Sequence, residues 1–166
     1  MNALFCVALA LSTPGISAQK SATPAAIADA TRICADALAT GTVDATVIER
    51  NGWGAGKIEA NGKRVSTPLK FYSRLKADVA SASPIIMVVD DDRSRGVCTV
   101  TGRIASRSMR EPVRAALTTQ FPDTLVKRGE DYVFIRGRSL AVLSDTGAQD
   151  SPAVRVLVTT VSEGKK

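Results

Sequence analysis

The chain contains no histidine, and that absence narrows its chemistry more than anything it contains. Histidine is the commonest general base, the side chain that switches charge near neutral pH, and the commonest metal ligand. Without it there is no triad to activate a serine, no base beside a cysteine nucleophile, and too few ligands for zinc. Aromatic residues are scarce at 4%, with a single tryptophan, so the core is expected to be built from Val, Ile, Leu and Ala. Cysteine occurs three times. The longest apolar stretch, Ala3 to Leu11, is too short to cross a bilayer as a helix. The 166 residues are 45% hydrophobic and 23% charged, an ordinary composition for one globular domain with a real core.

Residues 1–18 read as a secretory signal peptide. The apolar run Ala3–Leu11 is followed by helix-breaking Pro14-Gly15 and by Ile16-Ser17-Ala18, an acceptable cleavage site. Only the chain's amino terminus supplies positive charge ahead of the run, which departs from the usual pattern. Cleavage after Ala18 leaves a domain of residues 19–166 and removes Cys6. Two cysteines then remain, Cys34 and Cys98, an even count for an oxidising compartment. The expected location is therefore periplasmic or secreted, with a Cys34–Cys98 bridge. In the chain-entropy treatment a loop of this length stabilises by roughly 4 kcal/mol.

The two cysteines sit where such a bridge needs them. In Pro84–Ile104 a five-residue apolar run, Ile85 to Val89, leads through a charged turn into an alternating strand, Val97 to Ile104. Cys98, Val100 and Ile104 share one face, and Val97, Thr99, Thr101 and Arg103 the other. In Ala25–Ala39 the residues Ile27, Thr31, Cys34 and Leu38 form one helical stripe, closed by Gly41. Both cysteines thus point to the same interior.

The rest of the chain alternates short elements. Asp44 caps a short helix to Asn51, with a strand as the rival assignment because Val47 and Ile48 are β-branched. Asn61-Gly62 turns a hairpin between Lys57–Ala60 and Lys63–Ser66. From Leu69, even spacing sets Leu69, Phe71 and Leu75 on one face and Lys70, Tyr72, Arg74 and Lys76 on the other, with Phe71 read as core. A helix through Val79 also fits. Ser108-x-x-Glu111 matches a capping box ahead of Met109, Val113, Leu117 and Phe121, a helical stripe ended by Pro122. Tyr132–Ile135 and Leu140–Leu143 flank a turn at Gly137, and Ala153–Val161 reads as a closing strand. This order implies an α+β fold: one domain, an antiparallel sheet, and two or three helices packed on one of its faces.

Motifs for chemistry are incomplete. Gly52-Trp-Gly-Ala-Gly56-Lys57-Ile58 lacks the first glycine and the hydroxyl residue of a phosphate loop, and reads as a flexible turn. Asp90-Asp91-Asp92 lacks the glycine and the closing glutamate of a calcium loop and is better read as a charged turn. Ser73-x-x-Lys76 matches the S-x-x-K of penicillin-interacting enzymes, but so does Ser17-x-x-Lys20, and the partner motifs are absent. Gly137-Arg-Ser139-Leu-Ala141 falls one residue short of a nucleophile elbow. The sequence implies no enzyme, no cofactor and no metal.

Charge supplies the remaining lead. The net charge is +6, and residues 51–114 alone carry 12 basic and 6 acidic side chains. Lys57, Lys63, Arg64, Lys70, Tyr72, Arg74 and Lys76 form a candidate face for an anionic ligand, with a solvated basic face as the plain alternative. The first expectation is an exported, non-enzymatic domain that binds an anionic cell-envelope polymer through that face, with no nucleic acid as partner. The second is a protein-interaction module, such as an inhibitor, an immunity-type factor or an accessory subunit, marked by an exposed apolar patch. A carboxylate-dependent glycan-active enzyme using Asp90–Asp92 and Glu111 is the weakest of the three.

Overall fold

The computed structural model describes residues 20–56, 59–60, 63–64, 69–76, 82–89 and 96–161. The segment 1–18, Lys57, the Asn61-Gly62 turn and the turn Asp90–Asp92 with Arg93 and Arg95 lie outside the described residues.

The first helix, α1, spans Pro24–Ala37. Thr23 caps it, its hydroxyl accepting from the Ala26 N–H at 3.2 Å, and Pro24 occupies the first turn, where no N–H is needed. The stripe Ile27, Thr31, Cys34 and Leu38 is entirely buried. Thr31 tolerates burial because its hydroxyl donates to the Ile27 carbonyl at 2.8 Å. A second helix, α2 (Ala45–Arg50), starts on Asp44, which accepts from the Thr46 N–H and hydroxyl at 2.9 and 2.7 Å.

Ten strands follow from the rest: β1 (Trp53–Ala55), β2 (Glu59–Ala60), β3 (Lys63–Arg64), β4 (Leu69–Arg74), β5 (Ile85–Val89), β6 (Val97–Arg103), β7 (Thr124–Arg128), β8 (Asp131–Arg136), β9 (Ser139–Ala148) and β10 (Ser151–Thr160). Eight form one antiparallel sheet in the order β1-β4-β5-β6-β10-β9-β8-β7, and β2 with β3 makes a separate hairpin. A third helix, α3 (Arg110–Gln120), connects β6 to β7.

The α+β balance expected from the sequence is therefore corrected: the fold is β-rich, dominated by the eight-stranded sheet, and its three helices have 14, 6 and 11 residues. The difference has identifiable sources. Trp53-Gly-Ala reads as a turn because glycine weakens strand propensity, yet it pairs as an edge strand against β4. Thr124–Arg128 shows no strand pattern, being charged at its end, and forms the other edge on β8. The last two strands run ten residues each, β9 continuing well past Leu143.

One face of the sheet carries the core. Tyr72, Ile86, Val88, Cys98, Val100, Phe134, Ala141, Leu143, Val154, Val156 and Val158 are buried there with α1 and with Val113, Leu117 and Phe121 of the α3 region. The disulfide Cys34–Cys98 fastens α1 to β6, across 64 residues of sequence. Gly102 allows the helix to lie close: a Cβ there would stand 2.8 Å from the Ile27 side chain.

The capping box does not form. A 3-10 turn, Arg107–Met109, feeds α3, so Met109 with helical φ −70° and ψ −10° occupies the cap position. The Ser108 hydroxyl instead lies 2.7 Å from that of Ser106, and Glu111 accepts from Arg114.

Candidate functional site

Of the seven-residue basic face, the described residues place four side chains, those of Lys70, Tyr72, Arg74 and Lys76. Lys57 lies outside the described residues. Lys63 and Arg64 pair with Ala60 and Glu59 in the small hairpin, and their side chains are not described. Lys70 and Lys76 are exposed. Tyr72 and Arg74 share the face of β4 that carries Lys70. Tyr72 is 2% exposed on the core side of β4, and it is Phe71 that stands on the opposite face. Arg74 pairs with Asp29 of α1, reaches the Asn51 carbonyl at 3.4 Å, and lies over the Trp53 ring at 5.1 Å.

Arg74 thereby opens a ladder of ion pairs along α1. Asp29 also binds Arg32 at 2.9 Å, Arg32 binds Asp36 at 2.8 Å, and Asp36 meets Arg136 of β8 at 3.7 Å. The hydrogen bond that Arg32 donates to Asp29, ahead of the opposing cost of burial, raises the Arg32 pKa further. The ladder joins β4 to β8 across the helix; it is a partly exposed brace, with its charges satisfied internally.

A second arginine cluster braces α3. Arg110 and Arg114 lie over the Tyr132 ring at 5.2 and 5.6 Å. Arg110 pairs with Asp145 at 3.3 Å and donates to the Glu130 carbonyl, while Arg114 bonds Glu111. That last hydrogen bond holds the Glu111 carboxyl below the usual carboxylate range and raises Arg114. Glu111 is thus committed to an arginine. Among the described residues no group of three or more His, Cys, Asp and Glu side chains is placed to hold a metal.

The surface that stands out is the face of the sheet turned away from the helices. Register aligns one row directly across seven strands: Phe71, Met87, Thr99, Leu157, Val142, Val133 and Val126. The next row repeats it with Leu69, Val89 and Val97 on one side and Thr159, Leu140 and Ile135 on the other. Thr99 and Thr159 are the only polar members among these thirteen, and no charge interrupts them. Val89, Val126 and Leu157 remain 36%, 49% and 36% exposed, the other ten are half-buried, and the helices pack on the opposite face.

Polar residues close the belt along one side. Ile85 and Thr101 pair across β5 and β6, Thr101 pairs with Arg155, and Arg155 pairs with Ser144. Asp131 and Arg128 then stand opposite each other at the end of β8 and β7. A half-open hollow of about 380 Å³ lies on this face, lined by Arg128, Asp131, Val133 and Val142. It has one apolar wall and one charged wall.

The belt was legible in the sequence as apolar runs without alternation. Ile85-Ile-Met-Val-Val89, Val133-Phe-Ile135 and Leu140-Ala-Val-Leu143 are apolar on both strand faces, the pattern of strands covered on both sides. Helices cover only one side here. Ser73, on β4, and Ser139, at the start of β9, show no activating base within their hydrogen bonds among the described residues. No described helix is long and apolar enough to cross a membrane.

No family model, no curated protein and no solved structure matches the chain.

Proposed function

We propose that the chain is an exported, non-enzymatic protein-interaction module, and that the outer face of its sheet is the docking surface. The observation that carries this reading is the uncharged belt of two registered rows. Seven strands at about 4.8 Å spacing make it about 29 Å wide, and two to three rows give it about 15–20 Å along the strands. Its projected area is on the order of 500 Å², at the upper end for the largest apolar patch of a monomer. Including the polar row, its accessible area approaches the roughly 800 Å² that each partner commits to a standard protein interface.

The partner that fits is a protein presenting an apolar, sheet-like or helical surface edged with charge. A polyanionic polymer would need cations at the centre, and the belt has none. The signal-like sequence of residues 1–18 and the Cys34–Cys98 bridge, which persists in an oxidising compartment, support the export part of this reading. A second reading, binding of an anionic envelope polymer, draws on the exposed Lys70 and Lys76 and the net charge of +6. It predicts association that collapses as salt rises, whereas the apolar interface persists.

Site-specific photocrosslinking in the producing cells tests the proposal. A photoreactive residue replacing Leu157 is expected to give one discrete protein adduct, and the same residue replacing Glu49 on the helical side none. Absence of a discrete adduct from Leu157, Val126 and Val133 alike would overturn it.

A further inference from the structure

We infer that the occupant of the outer sheet face is a second copy of this chain, packed face to face about a two-fold axis that runs along β9. The inference rests on the docking reading above and names its partner. Two antiparallel sheets stacked through inner faces, about 10 Å apart and nearly aligned, are the ordinary way to bury sheets that are apolar on both sides. This chain's helices layer only one side of its sheet. About an axis along β9, a copy of itself lays its apolar belt over the five strands β6, β10, β9, β8 and β7, with β4 and β5 beyond its edge.

Charge placement selects the axis. On the outer face β9 is flanked by β10 and β8; its Ser144 pairs with Arg155 on one side and lies one position beyond the Leu143–Tyr132 pair, the position of Asp131, on the other. Neither Arg155 nor Asp131 forms an ion pair among the described residues. Rotation about β9 exchanges the two flanks, so Arg155 of each copy faces Asp131 of the other, and both pairs form at once. The same operation lays Val142 on itself and Leu157 against Val133, keeping the centre apolar. An axis along β10 instead would set Arg155 against Arg155, a repulsion that disfavours it. The hollow beside Asp131 and Val133 then receives the arginine of the partner copy, which explains its mixed lining.

Sedimentation equilibrium of the full chain, with circular dichroism as the control for folding, tests this. The wild type is expected at twice its monomer mass at micromolar concentration. Leu157→Asp, and independently Thr99→Arg at a position already polar, should reduce it to the monomer mass while the dichroism stays unchanged. Arg155→Asp and Asp131→Arg should each weaken dimerisation by about ten-fold or more, and the double charge swap should restore it. A dimer that survives both Leu157→Asp and Thr99→Arg would overturn the inference, because another surface would be holding it. A wild type that stays monomeric at about 100 μM, a concentration far above any functional Kd, would overturn it as well. In that case a discrete Leu157 adduct to a different protein would leave the docking proposal standing, and absence of any adduct would remove both.

Discussion

Removing the Cys34–Cys98 bridge is the perturbation whose cost follows most directly from the structure. The bridged residues are 64 apart in sequence, and both are fully buried. Opening a loop of that length returns to the unfolded chain an entropy worth about 4 kcal/mol at room temperature in the chain-entropy treatment. Total stabilities of single domains are about 5–15 kcal/mol, so the loss is a large share. The double variant Cys34→Ala/Cys98→Ala leaves a small apolar gap between α1 and β6 rather than two buried thiols. Urea unfolding is read from Trp53, the only tryptophan, which is 1% exposed beneath Arg74. With a denaturant slope of about 2 kcal/mol/M, the midpoint should fall by about 2 M. The slope itself should rise, because an unbridged chain exposes more surface when it unfolds. A midpoint unchanged within about 0.3 M would refute the reasoning, since the loop-closure term alone exceeds that several-fold.

Three further outcomes follow from the packing and the charges. Gly102→Val sets new atoms against the fully buried Ile27, so α1 must lift from β6, and urea unfolding should report a loss of about 1–3 kcal/mol. Arg74→Met breaks a partly exposed ion pair with Asp29 and removes the cation above Trp53; stability should fall by only about 0.5–1 kcal/mol, while Trp53 emission changes markedly. Asp44 is held below the usual carboxylate range by the Thr46 hydroxyl and then by the Thr46 N–H, and Glu111 by Arg114. A depressed carboxylate contributes stability that is complete above its unfolded-state pKa and lost as pH falls through the folded value. The urea midpoint should therefore decline between about pH 5 and pH 2, and Asp44→Asn, which keeps a capping oxygen, should make that decline shallower.

Helix α1, the disulfide and the central hairpin could be read from the sequence because each rests on a periodicity tied to burial. The stripe Ile27, Thr31, Cys34 and Leu38 has only one way to face a core, and alternation in Val97–Ile104 puts Cys98 on the matching side. Strand β4 shows where this logic ends. Alternation separates Leu69 and Phe71 from Tyr72 and Arg74, but it does not say which set is inside when each carries a large aromatic. Pairing decides: Tyr72 opposes buried Ile86, while Phe71 opposes Met87 on the outer face. That inversion sets Tyr72 in the core and Arg74 against Asp29 and Trp53, on the same face of β4 as Lys70. The capping box failed for a similar reason, because a 3-10 turn upstream of Arg110 shifted the cap by one residue. The belt is a property of register, in which residues from seven strands are brought side by side, and only the unbroken apolar runs announced it.

The central claim, that the outer face of the sheet is covered by protein in the working molecule, can be read from one side chain. Val142 lies at the centre of the belt on β9, and Met109 packs against the core from the other side of the sheet. Peroxide oxidation of Val142→Met, followed residue by residue in the mass spectrum, compares positions 142 and 109 with and without Leu157→Asp. The account predicts slow oxidation at position 142, a several-fold acceleration when Leu157→Asp is added, and the same Met109 rate in both proteins. Equal rates at position 142 in the two proteins would contradict it, because the belt would then be facing water in either case.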